Sequence, residues 1–285
     1  MKRCPGSPSF LYFIVLYGLI ILPECISWRI AKLSPVRKLR CGVSTRPTVK
    51  SNTLQNGLKY IIFPNKYRPN AFDAYLEILS GSAHEKNNER GMAHFLEHIA
   101  YMGNQAMNNL SSELGLRTNA FTDYHHTVYY TTCRPFSTIR NVSKYPATTA
   151  VAGLASVLQA PIHPERLDAE RAAVLSELSY VNTLSRRRET QILNDLHGDN
   201  MLPERSPIGL EADISRWTVD DLRSYQKRAY RPDNAVLYVV GDVDVGAVEC
   251  AIANSFGGLS RVEESSGKVV HVWMLSRSPC LFRIP

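Results

Sequence analysis

Two histidines four residues apart, with a glutamate between them, stand in the run Gly91-Met92-Ala93-His94-Phe95-Leu96-Glu97-His98-Ile99-Ala100-Tyr101-Met102-Gly103. On an α-helix, residues at i and i+4 lie one above the other, so His94 and His98 present their imidazoles to a single point. A hydrolytic zinc ion takes about three nitrogen or oxygen ligands and keeps a position for water. Glu97, three residues after His94, reaches the same side, where its carboxylate can take a proton from that water. The competing reading of an isolated histidine pair at this spacing is helix surface or satisfied core.

A third ligand has to come from elsewhere. Glu170-Arg171-Ala172-Ala173-Val174-Leu175-Ser176-Glu177-Leu178 reads as a second helix, and a seven-residue step returns Glu170 and Glu177 to nearly the same face. Glu177 can complete the ligand set, with Glu170 behind it to orient a histidine or balance charge. A solvated face is the alternative for such a pair. His125 and His126 are further candidates, but neighbours on an extended segment point to opposite faces, so at most one could face the site. A turn or packing role competes for both.

The elements that must position these residues follow from the surrounding pattern. Residues 92–102 contain no proline, and Met92, Phe95, Ile99 and Met102 recur at three- and four-residue steps, which predicts a helix with that face inward and Gly103 as its C′ stop. Leu58 to Phe63 and Ala74 to Leu79 read as strands separated by the turn-rich run Pro64 to Asn70. Beyond Gly103 a looser segment leads to two β-prone runs, Leu116 to Thr122 and His126 to Thr132. An exposed strand edge beside a hydrolytic site can hold an extended substrate by main-chain hydrogen bonds, a role that falls to Asn119 and Ala120. Helices are predicted over Thr148 to Gln159 and Pro164 to Leu184, with Arg186-Arg187-Arg188 on the extension of the latter as a solvated face. Thr218 can cap a further helix to Arg228, followed by a strand from Ala235 to Val240 and a last helix from Val245 to Asn254. Strands and helices alternating in blocks predict an α+β fold, a mixed sheet with helices packed on one face.

Charge separates the chain into a leader and a body. The 285 residues are 44% hydrophobic, ample for a core, and carry a formal net charge of +7. Residues 1–70 hold twelve Lys or Arg against the single acid Glu24, a net of +11, which leaves −4 for residues 71–285. The body therefore lacks the basic surface that nucleic acid requires. Six cysteines without a CxxC pair indicate neither a cysteine metal site nor a disulfide scaffold, and read as free thiols.

Met1-Lys2-Arg3 followed by the apolar Phe10 to Leu22 and Pro23 has the layout of a signal peptide over residues 1–27, a membrane anchor being the alternative. Residues 28–52 are basic, rich in Ser and Thr and free of Asp and Glu, the chemistry of a transit peptide. Together they predict secretory targeting followed by import into a plastid-type organelle. Were residues 28–52 a linker instead, the protein would stay in the secretory route or on its membrane, where the sequons at Asn109 and Asn141 become usable. A folded domain is expected over 53–266. Within 267–285, only Val269 to Trp273 suggests a strand.

His94-Phe95-Leu96-Glu97-His98 is the inverted zinc motif H-x-x-E-H, and residues 54–259 resemble the pitrilysin-type metallopeptidases. That resemblance implies a half-domain fold like those of pitrilysin and the mitochondrial processing peptidases. It also implies one zinc ion per chain on His94, His98 and Glu177, with Glu97 as general base and Glu170 beside the ligands. Asn119-Ala120 matches the family's substrate-pairing strand. Arg117 to Val128, Arg171 to Leu178 and Ser206-Pro207-Ile208-Gly209-Leu210-Glu211 resemble most the branch that removes transit peptides from proteins imported into plastids. The implied activity is a zinc endopeptidase acting on extended presequences. A non-catalytic assembly subunit and a peptide-degrading secretory peptidase are the alternatives. Family members enclose a chamber between two homologous halves, the second supplying an Arg and a Tyr to the substrate. One half is present here, so the resemblance implies a truncated product or a partner chain.

Overall fold

The computed structural model describes residues 48–134, 146–198 and 200–260. The expected signal peptide, most of the expected transit-like leader, the sequon at Asn141 and the strand expected at 269–273 lie outside the described residues.

Alternating side chains build the sheet. Its strands are β1 (Lys50–Thr53), β2 (Lys59–Pro64), β3 (Phe72–Ile78), β4 (Arg117–Thr122), β5 (Thr127–Cys133) and β6 (Ala235–Gly241). In β3, Phe72, Ala74, Leu76 and Ile78 are buried, while Asp73, Tyr75 and Glu77 turn to a partly open face. Burying each large apolar side chain of this kind contributes roughly 1.5–3 kcal/mol. The strands lie in the order β1-β2-β6-β3-β5-β4. β2 and β6 run parallel and every other pair is antiparallel, so the sheet is mixed. Lys50, Ser51 and Asn52, read from the sequence as the end of the leader, belong to this sheet, paired with Ile62, Ile61 and Tyr60.

Helices cover the buried face. They are α1 (Met92–Met102), α2 (Gln105–Ser112), α3 (Pro146–Val157), α4 (Pro164–Val181), α5 (Leu184–Leu196), α6 (Glu211–Ile214), α7 (Val219–Ala229) and α8 (Val245–Phe256). Phe95 and Leu96 of α1, Val151 and Leu154 of α3 and Ile252 and Phe256 of α8 join Leu76 and Leu237 of the sheet in one core. The opposite face carries Tyr130, Tyr75 and Tyr238 in register on adjacent strands, with the first two rings stacked at 5.6 Å. The α+β architecture with helices on one face is therefore as expected. No described helix is long and apolar enough to cross a membrane. Cys133 and Cys250 are free thiols.

Beyond the pairing of Lys50 to Asn52, the structure departs from the sequence reading at three further places. The looser segment after Gly103 contains α2, which starts where the Asn104 side chain accepts the N–H groups of Ala106 and Met107 and buries Met107 and Leu110. The helix bearing Glu177 ends at Val181, and Thr183 caps a separate helix by accepting the N–H of Arg186. Arg186-Arg187-Arg188 thus lie on α5 rather than on an extension of α4, and Arg186 reaches Ser206 at 3.0 Å. Met102, expected inward, is 56% exposed at the last residue of α1, beyond the elements that cover Phe95 and Ile99.

Candidate active site

Helix α1 is anchored at its first turn. Gly91 caps it at φ +97°, a left-handed conformation that favours glycine. The buried Glu85 carboxylate accepts the N–H groups of Gly91 and Ala93, each at 2.8 Å, satisfying donors that a helix N-terminus leaves open. Burial pushes the Glu85 carboxyl up to about 8, opposed by those two N–H bonds. Behind it the loop before α6 closes in. A Cβ on Gly91 would sit 2.6 Å from Gly209 Cα, and Leu210 donates its N–H to the Arg90 carbonyl at 3.3 Å. Trp217 packs edge-on against Phe95 with ring centres 5.5 Å apart. Neither Glu85 nor the Gly91–Gly209 contact left a periodic signal in the sequence.

The middle of α1 faces α4. Nε2 of His94 and Nε2 of His98 each lie 3.6 Å from Oε2 of Glu177, and one ligand atom from each of the three residues falls within 4.8 Å of the others. Zinc bonds of about 2.0–2.2 Å in a tetrahedral site place ligand atoms about 3.4 Å apart, so these donors fit a single such ion. Burial, then the neighbouring His98, lowers His94 to about 4, which leaves its imidazole neutral at pH 7 and able to ligate. Glu170 stands 3.6 Å from Nδ1 of His98, and Arg166 holds its other oxygen at 2.6 Å. Gly103, expected as the stop of the helix, does follow its last residue, at φ −95°. The place of its missing Cβ is filled by the Arg166 guanidinium, so the glycine gives clearance to the side chain that holds Glu170.

Glu97 points away from solvent, only 7% exposed, and accepts the Thr122 hydroxyl at 3.0 Å. Burial pushes its carboxyl up to about 7, with the nearby Glu177 charge adding to the rise and Thr122 opposing it. Thr122 ends β4, the last strand of the sheet, where Asn119 and Ala120 pair with Tyr130 and Tyr129 on one side only. The other edge has no strand partner among the described residues.

His125 and His126 are not part of the cluster. His126 bridges Asp123 at 2.9 Å and Glu77 at 3.4 Å, closing the β4–β5 turn, and His125 makes a ring contact with His84. The Asp123 hydrogen bond raises His126 above its ordinary 6.5, so its stabilisation is complete below 6.5 and is lost as pH rises through the raised value. His126→Gln is expected to lower stability by about 0.5–1 kcal/mol at pH 6 and much less at pH 9, read from denaturation midpoints.

Comparisons with known proteins agree with this geometry. The sequence profile of insulinase (peptidase family M16) matches residues 61–205, and that of the peptidase M16 inactive domain matches residues 216–282. The chain is 39% identical over 210 residues to the chloroplastic stromal processing peptidase of Arabidopsis thaliana, covering 72% of this chain and 16% of that protein. The crystal structure of the periplasmic protease PqqL from Escherichia coli superposes with a TM-score of 0.68 at 26% identity, over 77% of this chain and 25% of that one. The first half of the same protease, solved separately, gives 0.67 at 27% identity and is covered to 48%. The chain thus spans a small part of the relatives it matches, and that part includes the two-histidine helix and the glutamate helix. With its fold and its sequence both matching, this chain belongs to the insulinase family of peptidases, family M16.

Proposed function

We propose that the chain carries the zinc-dependent peptide-hydrolysing site of a presequence-processing endopeptidase. The observation that carries this reading is the convergence of His94, His98 and Glu177 beside the buried carboxylate of Glu97. In it, His94, His98 and Glu177 hold one Zn2+, which when bound acidifies water and polarises a carbonyl. Glu97 takes the proton from the attacking water and returns it to the departing amine nitrogen. Glu170, steadied by Arg166, orients His98. Asn119 and Ala120 hold the substrate backbone as an added strand along the free edge of β4.

An extended, basic presequence is the substrate class. The net charge of −4 over residues 71–285 suits a cationic peptide, and the relative in Arabidopsis is named as a stromal processing peptidase. The sequence of the leader supports a route through the secretory pathway to a plastid-type organelle. Coverage of about a quarter of PqqL and half of its first half supports further domains, the rest of a first half and a second half, in a longer chain or a partner subunit, as the remaining walls of the chamber.

The test is zinc content by elemental analysis and cleavage of a basic presequence peptide, read by mass spectrometry, on residues 53–285. One zinc per chain, absent in His94→Ala, is the expected result. Cleavage by the chain alone would make it self-sufficient, and cleavage on adding a second half would make it a catalytic half. Failure to bind zinc would overturn the reading.

A further inference from the structure

We infer that Thr122 is a positioning residue for Glu97 that fixes which carboxylate oxygen is free to receive a proton. The inference rests on the reading of Glu97 as the base. Thr122 donates its hydroxyl to Oε2 of Glu97 at 3.0 Å, occupying that oxygen and leaving Oε1 for chemistry. Glu97 is the nearer of the two acceptors within reach of that proton, the other being the Thr127 hydroxyl oxygen. Thr127, directly opposite Thr122 in the β4–β5 register, lies 3.4 Å away, oxygen to oxygen, and donates its own proton to the Ser80 carbonyl at 3.0 Å. Thr127 is fully buried, so this arrangement is walled in on the side away from Glu97.

The strand makes the contact geometrically firm. Side chains two apart on a strand share a face. Thr118 meets the Tyr101 hydroxyl of α1 at 3.0 Å, Ala120 packs against the core, and Thr122 follows them onto Glu97. The residues assigned to pair with the substrate backbone are therefore two and three positions from the hydroxyl that sets the base. A peptide added to the edge of β4 would settle the strand and the Glu97 carboxylate together. Without the hydroxyl, one oxygen of a buried carboxylate loses its donor, a condition that a side-chain rotation relieves.

The experiment compares Thr122→Val, a near-isostere without the hydroxyl, with Thr122→Ser, which restores it, in the zinc-loaded chain. Thr122→Ala serves as a second hydroxyl-free variant. For the hydroxyl-free variants kcat is expected to fall about tenfold or more while KM stays within about twofold, and Thr122→Ser to recover most of the loss. Crystal structures of the parent and Thr122→Val are expected to show the Glu97 carboxylate turned from its parental position. An unmoved carboxylate, or parental kcat in the hydroxyl-free variants, would overturn the inference. A parent that cleaves no peptide even with a second half added would fail the peptidase reading instead, and the two crystal structures would then decide the role of Thr122 by themselves.

Discussion

Glu97→Gln is expected to bind zinc within a few-fold of the parent affinity and to cleave a presequence peptide at least a hundredfold more slowly, since a positioned general base contributes about 10²–10⁴. Glutamine keeps the shape of the side chain, and its amide oxygen can still accept the Thr122 hydroxyl. Glu97 is not one of the three clustered ligand residues, so the metal loses no donor. What is lost is an oxygen able to accept a proton. Stability supplies a second readout. In the metal-free chain the Glu97 carboxyl is pushed up to about 7 by burial, so its charged form weighs on the fold as pH rises from the ordinary 4.5 through about 7. Gln carries no such charge, and the melting temperature of the variant should equal or exceed the parent's at pH 8. Elemental analysis, mass spectrometry of the peptide and thermal melts check the three expectations. Near-parental turnover would remove Glu97 from its role.

Gly209→Ala is expected to cost about 2–4 kcal/mol and to weaken zinc binding at least tenfold, although Gly209 touches no ligand. Gly209 has φ +79°, and a Cβ there would lie 2.4 Å from the Arg90 carbonyl oxygen and 2.5 Å from Gly91 Cα. Those are backbone atoms, which no rotamer change can move. Relief requires the loop and the start of α1 to part, and His94 stands only three residues after Gly91 on the displaced helix. Gly91→Ala meets the same surface from the other side, with its Cβ 2.6 Å from Gly209 Cα, so the double variant should cost much less than the sum. Gly258→Ala is the control, because nothing lies within 4 Å of its Cβ position. Urea denaturation and zinc titration against a competing chelator read both effects. Unchanged zinc affinity in Gly209→Ala would mean that the loop does not hold the helix.

Chemistry written within one or two turns of helix was legible in the sequence. His94, Glu97 and His98 share a face by spacing alone, and the step from Glu170 to Glu177 put both carboxylates on one side of α4. Their approach within a few ångströms is a tertiary fact that periodicity cannot supply. Thr122 reaches Glu97 across a strand and a helix, Glu85 across a loop, and Gly209 meets Gly91 over more than a hundred residues, so none of them repeats at a helical or strand period. The missed helix α2 is short and polar with only Met107 and Leu110 buried, and its one signal was the capping Asn104. The break between α4 and α5 lacks glycine and proline. Thr183, a good cap, was the sign that a new helix began there.

The place of β6 in the sheet sets an order of events during synthesis. β6 lies between β2 and β3, and it joins two fragments, β1-β2 and β3-β5-β4, that have no other strand contact. Its partners left the ribosome more than 150 residues earlier, so the backbone N–H and C=O groups along the open edges of β2 and β3 wait unpaired until residue 241 has emerged. Pairing over such a distance closes a long loop and is slow. A growing chain carrying both histidines and Glu177 but not β6 has its ligands without the sheet that holds them level. On the proposed zinc reading, metal capture follows the pairing of β6 and is a late step.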